Sequence, residues 1–147
     1  MNTAQQLGLA VAIVVGIFLY IQLLCVLIAT WSGWRKLAER FRHEFDFRTQ
    51  IGGWQSARMR WGCNYNNAIK VGTDSIGLYL CTVIIVPQHP SLLIPWNEIR
   101  VVRRSKFLAW TFVHLELGSD EQIPFAIRES LFTQINRENR LDASNIW

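Results

Sequence analysis

The chain has 147 residues and a formal net charge of +4, with 50% hydrophobic and 18% charged residues. This length accommodates one small domain and one additional segment. The three cysteines, Cys25, Cys63 and Cys81, are odd in number and show no CxxC spacing. Their pattern argues against both a disulfide framework and a zinc site.

The first predicted element is a transmembrane helix over residues 7–31. Residues 7–30 carry no charge, and fifteen of them are Leu, Ile, Val or Phe. As a helix, this stretch spans about 36 Å, more than the roughly 30 Å hydrocarbon core of a bilayer. A cleaved signal peptide needs a basic start and a shorter apolar stretch, but Met1 to Gln6 contains no basic side chain. We therefore predict a retained membrane anchor.

The residues that flank this helix predict its orientation. Several basic side chains follow it, whereas the residues before it offer only the terminal amine. By the positive-inside rule, the protein crosses the inner (plasma) membrane once, with its N-terminus outside and its C-terminal domain in the cytoplasm. Aromatic and basic side chains at the exit are typical of a membrane interface. These candidates are Trp31, Trp34, Arg35 and Lys36.

One face of the predicted helix carries a small residue at every fourth position, namely Gly8, Ala12 and Gly16. Such spacing lets two helix backbones approach closely within a membrane. It indicates packing against another membrane protein or a second copy of the chain.

An amphipathic juxtamembrane helix or linker is predicted over residues 32–50. The i, i+3, i+4, i+7 spacing of its apolar residues is typical of such a helix; these are Trp34, Leu37, Ala38 and Phe41. The segment either continues the membrane helix or lies along the lipid surface. Gly52-Gly53 ends it.

Beyond this segment the apolar period changes to two, which predicts a mainly-β domain over residues 51–142. The expected strands are 54–61, 65–71, 76–86, 92–96, 99–106, 110–117 and 122–125. Ile127, Leu131 and Ile135, with Phe132 beside them, mark one face of a C-terminal helix that ends near Asn139. We expect an antiparallel sandwich or roll closed by this helix, as in the pleckstrin-homology-like (PH-like) fold.

Several stretches are similar to known proteins. Gly77-Leu78-Tyr79-Leu80, followed by the proline-rich stretch His89 to Ile99, resembles the third to fifth strands of bacterial PH-like and GRAM-like domains, where a phrase "GLYL … IPW-x-EI" recurs. Gly33-Trp34-x-x-Leu37-Ala38-x-Arg40-Phe41 and Tyr65-Asn66-Asn67 are similar to parts of bacterial single-pass membrane proteins that carry such a domain. The resemblance covers nearly the whole chain and implies a fold without a particular activity.

Within the recognisable stretch, the expected roles are structural. Pro95 suits the end of an edge strand, Glu98 can accept backbone N–H bonds, and Trp96 can cover one end of the core. His89, between Gln88 and Pro90, is expected to shape a turn.

Positive charge is concentrated in the first part of the predicted domain. Residues 49–106 contain seven basic and two acidic side chains, whereas residues 107–147 contain three basic and six acidic ones. A basic surface can face anionic lipid or an acidic partner, although solvated charges on outward strand faces have the same appearance. The candidates are Arg58, Arg60, Lys70, Arg100, Arg103, Arg104 and Lys106.

No catalytic motif is present, because the chain lacks G-x-S-x-G, Walker-type, G-x-G-x-x-G and H-E-x-x-H sequences. His114 and Glu116 share a strand face, but two candidate ligands are too few for a metal site. We predict no enzymatic activity, no cofactor and no metal. Nucleic acid is not expected as a partner, because most of the seven Trp residues fall at the membrane boundary or at strand positions expected to be buried.

The predicted function is that of a noncatalytic, membrane-anchored PH-like module with a surface for a protein or for anionic lipid. An accessory subunit of a larger membrane complex is the alternative. An enzyme with an unrecognised site is a third hypothesis.

Overall fold

Three helices and seven strands make up the described part of this computed structural model, which comprises residues 2–44, 50–83 and 87–139. The helices are α1 (Thr3–Ser32), α2 (Trp34–Phe41) and α3 (Glu129–Asn139). The strands are β1 (Gln50–Arg58), β2 (Asn64–Thr73), β3 (Gly77–Thr82), β4 (Leu92–Pro95), β5 (Ile99–Phe107), β6 (Trp110–Leu117) and β7 (Ile123–Arg128). Two 3₁₀ turns, Arg60–Gly62 and Trp96–Glu98, follow β1 and β4.

The long helix α1 has two parts with different surroundings. It is long and apolar enough to span a membrane, in agreement with the sequence. Every side chain from Thr3 to Ile21 is exposed. Farther along, Cys25, Ala29 and Ser32 are buried, because this last part of the helix packs against the β domain.

Gly33 separates α1 from α2. Its φ of 85° lies in the left-handed region, which glycine adopts without the steric cost of a Cβ atom. A Cβ atom at this position would approach Ile123 Cδ1 to 2.7 Å. The chain therefore turns sharply here, and α2 does not continue α1.

The apolar face of α2 belongs to the core of the β domain. Trp34 and Leu37 have no exposed surface and Phe41 is 9% exposed. This result differs from both arrangements expected for the segment, since the buried face cannot also lie on lipid. The spacing of the apolar residues predicted the helix correctly over Trp34–Phe41, and residues 45–49 lie outside the described part of the chain.

The seven strands form one curled antiparallel sheet in the order β4-β3-β2-β1-β7-β6-β5. The prediction of seven antiparallel strands followed by a helix is confirmed. Pro95 ends β4, a strand at one end of this order, as expected. On α3, Leu131, Phe132 and Ile135 are buried in the same core as α2, so a helix packs on the sheet at each end of the domain's sequence.

Several predicted boundaries were wrong. Trp61 was predicted to end the first strand, 54–61, but it lies in the 3₁₀ turn Arg60–Gly62 and is 79% exposed. β3 ends at Thr82, and residues 84–86 of its predicted range lie outside the described residues. β7 extends to Arg128, so Ile127 is a buried strand residue and not part of the final helix.

Candidate functional site

A row of register partners crosses four neighbouring strands on the outer face of the sheet, and three of its four side chains are polar. Arg58 of β1, Ala126 of β7, His114 of β6 and Arg103 of β5 are successive register partners. Neighbouring strands lie about 4.8 Å apart, so the row extends over about 14 Å. We call Arg58, His114 and Arg103, together with Arg128 of β7, the basic face.

The alternation of β6 explains why these residues face outward. Val113, Leu115 and Leu117 are buried, whereas His114 and Glu116 between them are only half-buried. A β-strand directs successive side chains to opposite faces, so the core-facing residues fix His114 on the outside.

His114 lies in a positively charged environment. Partial burial lowers its pKa, and the charges of Arg103 and Arg58 lower the pKa further. The ring is therefore neutral at pH 7, and its Nε2 lies 2.6 Å from the Ser105 hydroxyl oxygen. The polar pair lies on an open sheet face.

Exposed apolar side chains border the basic face at the turn between β5 and β6. Phe107 is 68% exposed, Leu108 81% and Trp110 52%. The Arg128 guanidinium lies 4.2 Å from the centroid of the Trp110 ring, a cation–π contact. This hairpin end therefore presents aromatic surface directly beside positive charge.

The seven basic residues singled out in the sequence do not form one cluster. Arg100 lies on the same outward side of the sheet as the basic face, because its register partner is the outward Glu116. Arg104 lies on the opposite side of β5, 3.6 Å from Glu129 of α3, and Lys106 alternates to that side as well. Lys70 lies over Trp54 and Arg60 over Trp61, at 4.6 and 5.5 Å from the ring centroids.

The four predicted interface residues also differ from one another. Trp31 is 60% exposed, and Arg35 and Lys36 are exposed on α2. Trp34 is fully buried and donates its ring N–H to the carbonyl oxygen of Pro90 at 3.0 Å. The expectation for Trp34 is wrong, because its ring is part of the domain core and is not available to a bilayer.

The small-residue face of α1 is open. Gly8, Ala12 and Gly16 are exposed, and a Cβ atom at either glycine would meet no neighbouring atom within 4 Å. Helix packing through this face remains a prediction.

A buried polar cluster connects α1 to the β domain. The Tyr65 hydroxyl donates to Ser32 Oγ at 3.0 Å and lies 3.2 Å from His89 Nε2. The Tyr65 hydroxyl therefore lies within hydrogen-bond distance of both Ser32 and His89. Burial raises the pKa of Tyr65 to about 12 and lowers the pKa of His89. We call Ser32, Tyr65 and His89 the buried cluster.

Sequence reasoning missed this cluster. His89 was expected only to shape a turn, yet it is 7% exposed and its ring centroid lies 5.7 Å from that of Trp34. Ser32, Tyr65 and His89 come from three separate segments, so no spacing along the chain indicates that they are in contact.

A second polar contact lies nearer the N-terminus of α1, where Gln88 donates to Gln22 Oε1 at 3.1 Å. Two grooves, of about 540 and 350 Å³, flank this docked part of the helix. The smaller groove lies between α1 and the strands β2 and β3, with Ile28 and Val83 in its lining.

An ion-pair cluster connects the C-terminal end of α2 to the β domain. Arg40 contacts Asp120 and Glu121 at 3.0 Å and Glu98 at 3.4 Å. The Ser119 backbone N–H donates to Glu98 Oε2 at 2.6 Å, which confirms that Glu98 accepts a backbone bond. Hydrogen bonds from Ser119 and the nearby Arg40 charge lower the pKa of Glu98. Among the described residues, no group of three potential ligands is placed to hold a metal ion.

In comparisons with known proteins, no family model and no curated protein sequence matches this chain.

Proposed function

We propose that this protein is a noncatalytic, membrane-anchored PH-like module whose basic face binds an acidic segment of a protein partner at the cytoplasmic side of the membrane. One observation carries the proposal: the outward row of Arg58, His114 and Arg103 lies beside the exposed aromatic end of the β5–β6 hairpin.

The anchor is α1. Its length, its apolar composition and the exposure of its first nineteen residues, Thr3–Ile21, support a membrane span. The basic side chains that follow it, including Arg35 and Lys36 of α2, support a cytoplasmic location for the β domain under the positive-inside rule.

The PH-like assignment rests on architecture. A curled antiparallel sheet of seven strands, in which β1 joins the β2–β4 half to the β5–β7 half, suits this fold. The buried face of α3 then covers the sheet after the last strand, as a C-terminal helix does in that architecture.

The composition of the basic face favours a protein over a lipid headgroup. Aromatic residues and arginine are enriched at the centres of protein interfaces, and both occur here. Residues 59–63, between β1 and β2, contain one basic side chain, Arg60. A phosphate-binding pocket in that segment would therefore lack the charges it needs.

Full-length protein in phosphatidylcholine nanodiscs tests the proposal with a defined probe. The probe is a fluorescein-labelled peptide that contains glutamate and phenylalanine, with a matched peptide in which glutamine replaces glutamate. We expect tighter binding of the acidic peptide by fluorescence anisotropy. The triple substitution Arg58→Gln, Arg103→Gln and Arg128→Gln should weaken it roughly tenfold, since each exposed charge contributes up to about 1 kcal/mol.

Arg104→Gln is the matched control, because Arg104 lies on the opposite side of β5 and contacts Glu129. Equal binding by the triple variant and the native protein would contradict the proposal. Hydrogen exchange provides a second measurement, which distinguishes binding of lipid from binding of a protein. Protection of β5 and β6 by phosphatidylserine nanodiscs, lost in the triple variant, would assign the face to lipid and overturn the protein version.

A further inference from the structure

The part of α1 that packs on the β domain overlaps the part that is apolar enough for lipid. Contacts with the domain begin at Gln22, which accepts from Gln88, and continue to Ser32, which accepts from Tyr65. From Gln22 to Ser32 the helix axis rises about 15 Å. The uncharged sequence continues through Trp34, so the whole of this docked part is also free of charge.

The undocked apolar part is too short to cross a bilayer alone. The apolar stretch before Gln22, Leu7 to Ile21, rises about 22 Å along the helix axis, against a hydrocarbon core of about 30 Å. The remaining length of about 8 Å has to come from the docked part. On the side of α1 away from the domain, Leu23 and Trp31 remain 56% and 60% exposed, which suits contact with lipid.

The domain surface beside α1 has the composition of a membrane interface. The turn Arg60–Gly62 lies against α1, and its Trp61 is 79% exposed. Val83 is 44% exposed and Pro87 is also exposed. Tryptophan with an adjacent arginine, as in the Arg60–Trp61 pair, is typical of the headgroup level of a bilayer.

The backbone of Trp61 is a second observation. Its φ of 58° lies in the left-handed region, which a bulky side chain rarely adopts. In this conformation the ring is 79% exposed, a placement that suits a contact outside the protein.

The smaller groove beside α1 agrees with this location. It encloses about 350 Å³ and is lined by side chains without formal charge, among them Cys25, Ile28, Ala68 and Val83. Its apolar lining opens between the helix and the sheet at the depth where the bilayer has to cover the docked part of α1.

We propose that the α1 side of the β domain is embedded in the membrane interface, with Trp61, Val83 and Pro87 in contact with lipid. This inference rests on the proposed function in one respect, that α1 spans the membrane. The domain is then held in one orientation on the bilayer, and the basic face is presented at a fixed angle.

Spin-label accessibility in the full-length protein, reconstituted in phosphatidylcholine vesicles, tests this placement. One nitroxide label is attached to a cysteine introduced by Trp61→Cys or by Val83→Cys. The three native cysteines are removed by Cys25→Ala, Cys63→Ser and Cys81→Ser, so that each protein carries a single label. Collisions with lipid-soluble oxygen are compared with collisions with a water-soluble nickel complex. Ile17→Cys in α1 is the lipid control, and Ser75→Cys, in the turn at the other end of β2 and β3, is the water control.

We expect the oxygen-to-nickel ratio at positions 61 and 83 to exceed that at position 75 and to approach that at position 17. A ratio at either test position equal to that at position 75, with a lipid-type ratio at position 17, would overturn the embedding and leave the anchor intact. A water-type ratio at position 17 would overturn the anchor itself.

A second measurement keeps the native cysteines. Brominated phosphatidylcholine quenches tryptophan fluorescence on contact, so the native protein should lose a larger fraction of its emission than Trp61→Phe does. Trp54→Phe is the matched control, since Trp54 is 42% exposed but contacts Lys70. Equal fractional quenching in the native protein and Trp61→Phe would contradict the contact.

Discussion

The two histidines His89 and His114 have pKa values shifted in the same direction for different reasons. Burial alone lowers the pKa of His89, which lies between α1 and the sheet. At His114 burial is joined by the charges of Arg103 and Arg58. The first shift marks a site enclosed by the protein, and the second marks positive charge concentrated on an accessible surface. The buried cluster therefore belongs to the contact between α1 and the β domain, whereas the basic face lies on the accessible surface of the sheet.

The test with the largest expected effect on stability replaces one tryptophan from each of the two regions. Trp34→Ala removes a fully buried ring next to His89 and should lower the free energy of unfolding by about 3–5 kcal/mol. Trp110→Ala removes a half-exposed ring whose contact with Arg128 is worth about 0.5–1 kcal/mol. Urea unfolding in detergent, followed by circular dichroism of the sheet, measures both values.

The exposed Trp31 provides a control from the same part of the chain as Trp34. Trp31→Ala should change the unfolding free energy by less than about 0.5 kcal/mol in detergent. Similar losses for Trp34→Ala and Trp31→Ala would mean that α2 does not contribute to the core.

These three tryptophans, Trp31, Trp34 and Trp110, also show which part of the fold could be predicted from the sequence. The strand Trp110–Leu117 was predicted with its observed bounds, because alternation and turn residues are local signals. Trp31 and Trp34 look alike in the sequence, since both follow the apolar stretch. Their different burial depends on Gly33 turning the chain against Ile123, a contact between residues far apart in sequence.

The second test removes one hydroxyl group from the buried cluster. Tyr65→Phe leaves Ser32 and His89 without their shared partner, which should cost about 1–3 kcal/mol of unfolding free energy. Tyr20→Phe, at a 62% exposed position on α1, is the matched control and should have no measurable effect. An unchanged midpoint for Tyr65→Phe in the same urea titration would show that the cluster contributes nothing to stability.

The third test uses pH. In the unfolded chain His89 titrates near its ordinary pKa of 6.5, and in the folded protein its pKa is lower. As the pH falls below 6.5 the unfolded state binds the proton first, so the unfolding free energy decreases. Above that pH both states are neutral at this residue and its contribution is constant.

His89→Gln removes this titration and keeps a polar side chain that can form a hydrogen bond with Tyr65. Urea unfolding at a series of pH values should give a shallower acid-side slope for His89→Gln than for the native protein. Titration of His114 is present in both proteins and cancels in the difference. Parallel slopes would show that His89 is not held neutral by the fold.

The basic face was only partly predictable. Strand alternation alone separates Arg103 from Arg104, because adjacent residues face opposite sides of a sheet. Alternation would also separate Arg100 from Arg103, yet the irregular register between Val101 and Arg103 returns both to one face. Such a bulge, and the pairing of β1 with β7 that brings Arg58 into the row, arise from tertiary structure.

The experiment with the smallest expected effect tests the electrostatics of the basic face directly, through the pKa of His114. Arg103→Gln removes one of the charges that disfavour protonation of His114, so the pKa of His114 should rise toward its ordinary value. Arg104→Gln, which removes the same charge from the opposite side of β5, should leave that pKa nearly unchanged. Histidine ring signals in an NMR pH titration report both values. If the two variants raise the pKa of His114 equally, the charge acts through the net charge of the domain, and the outward row has no special role.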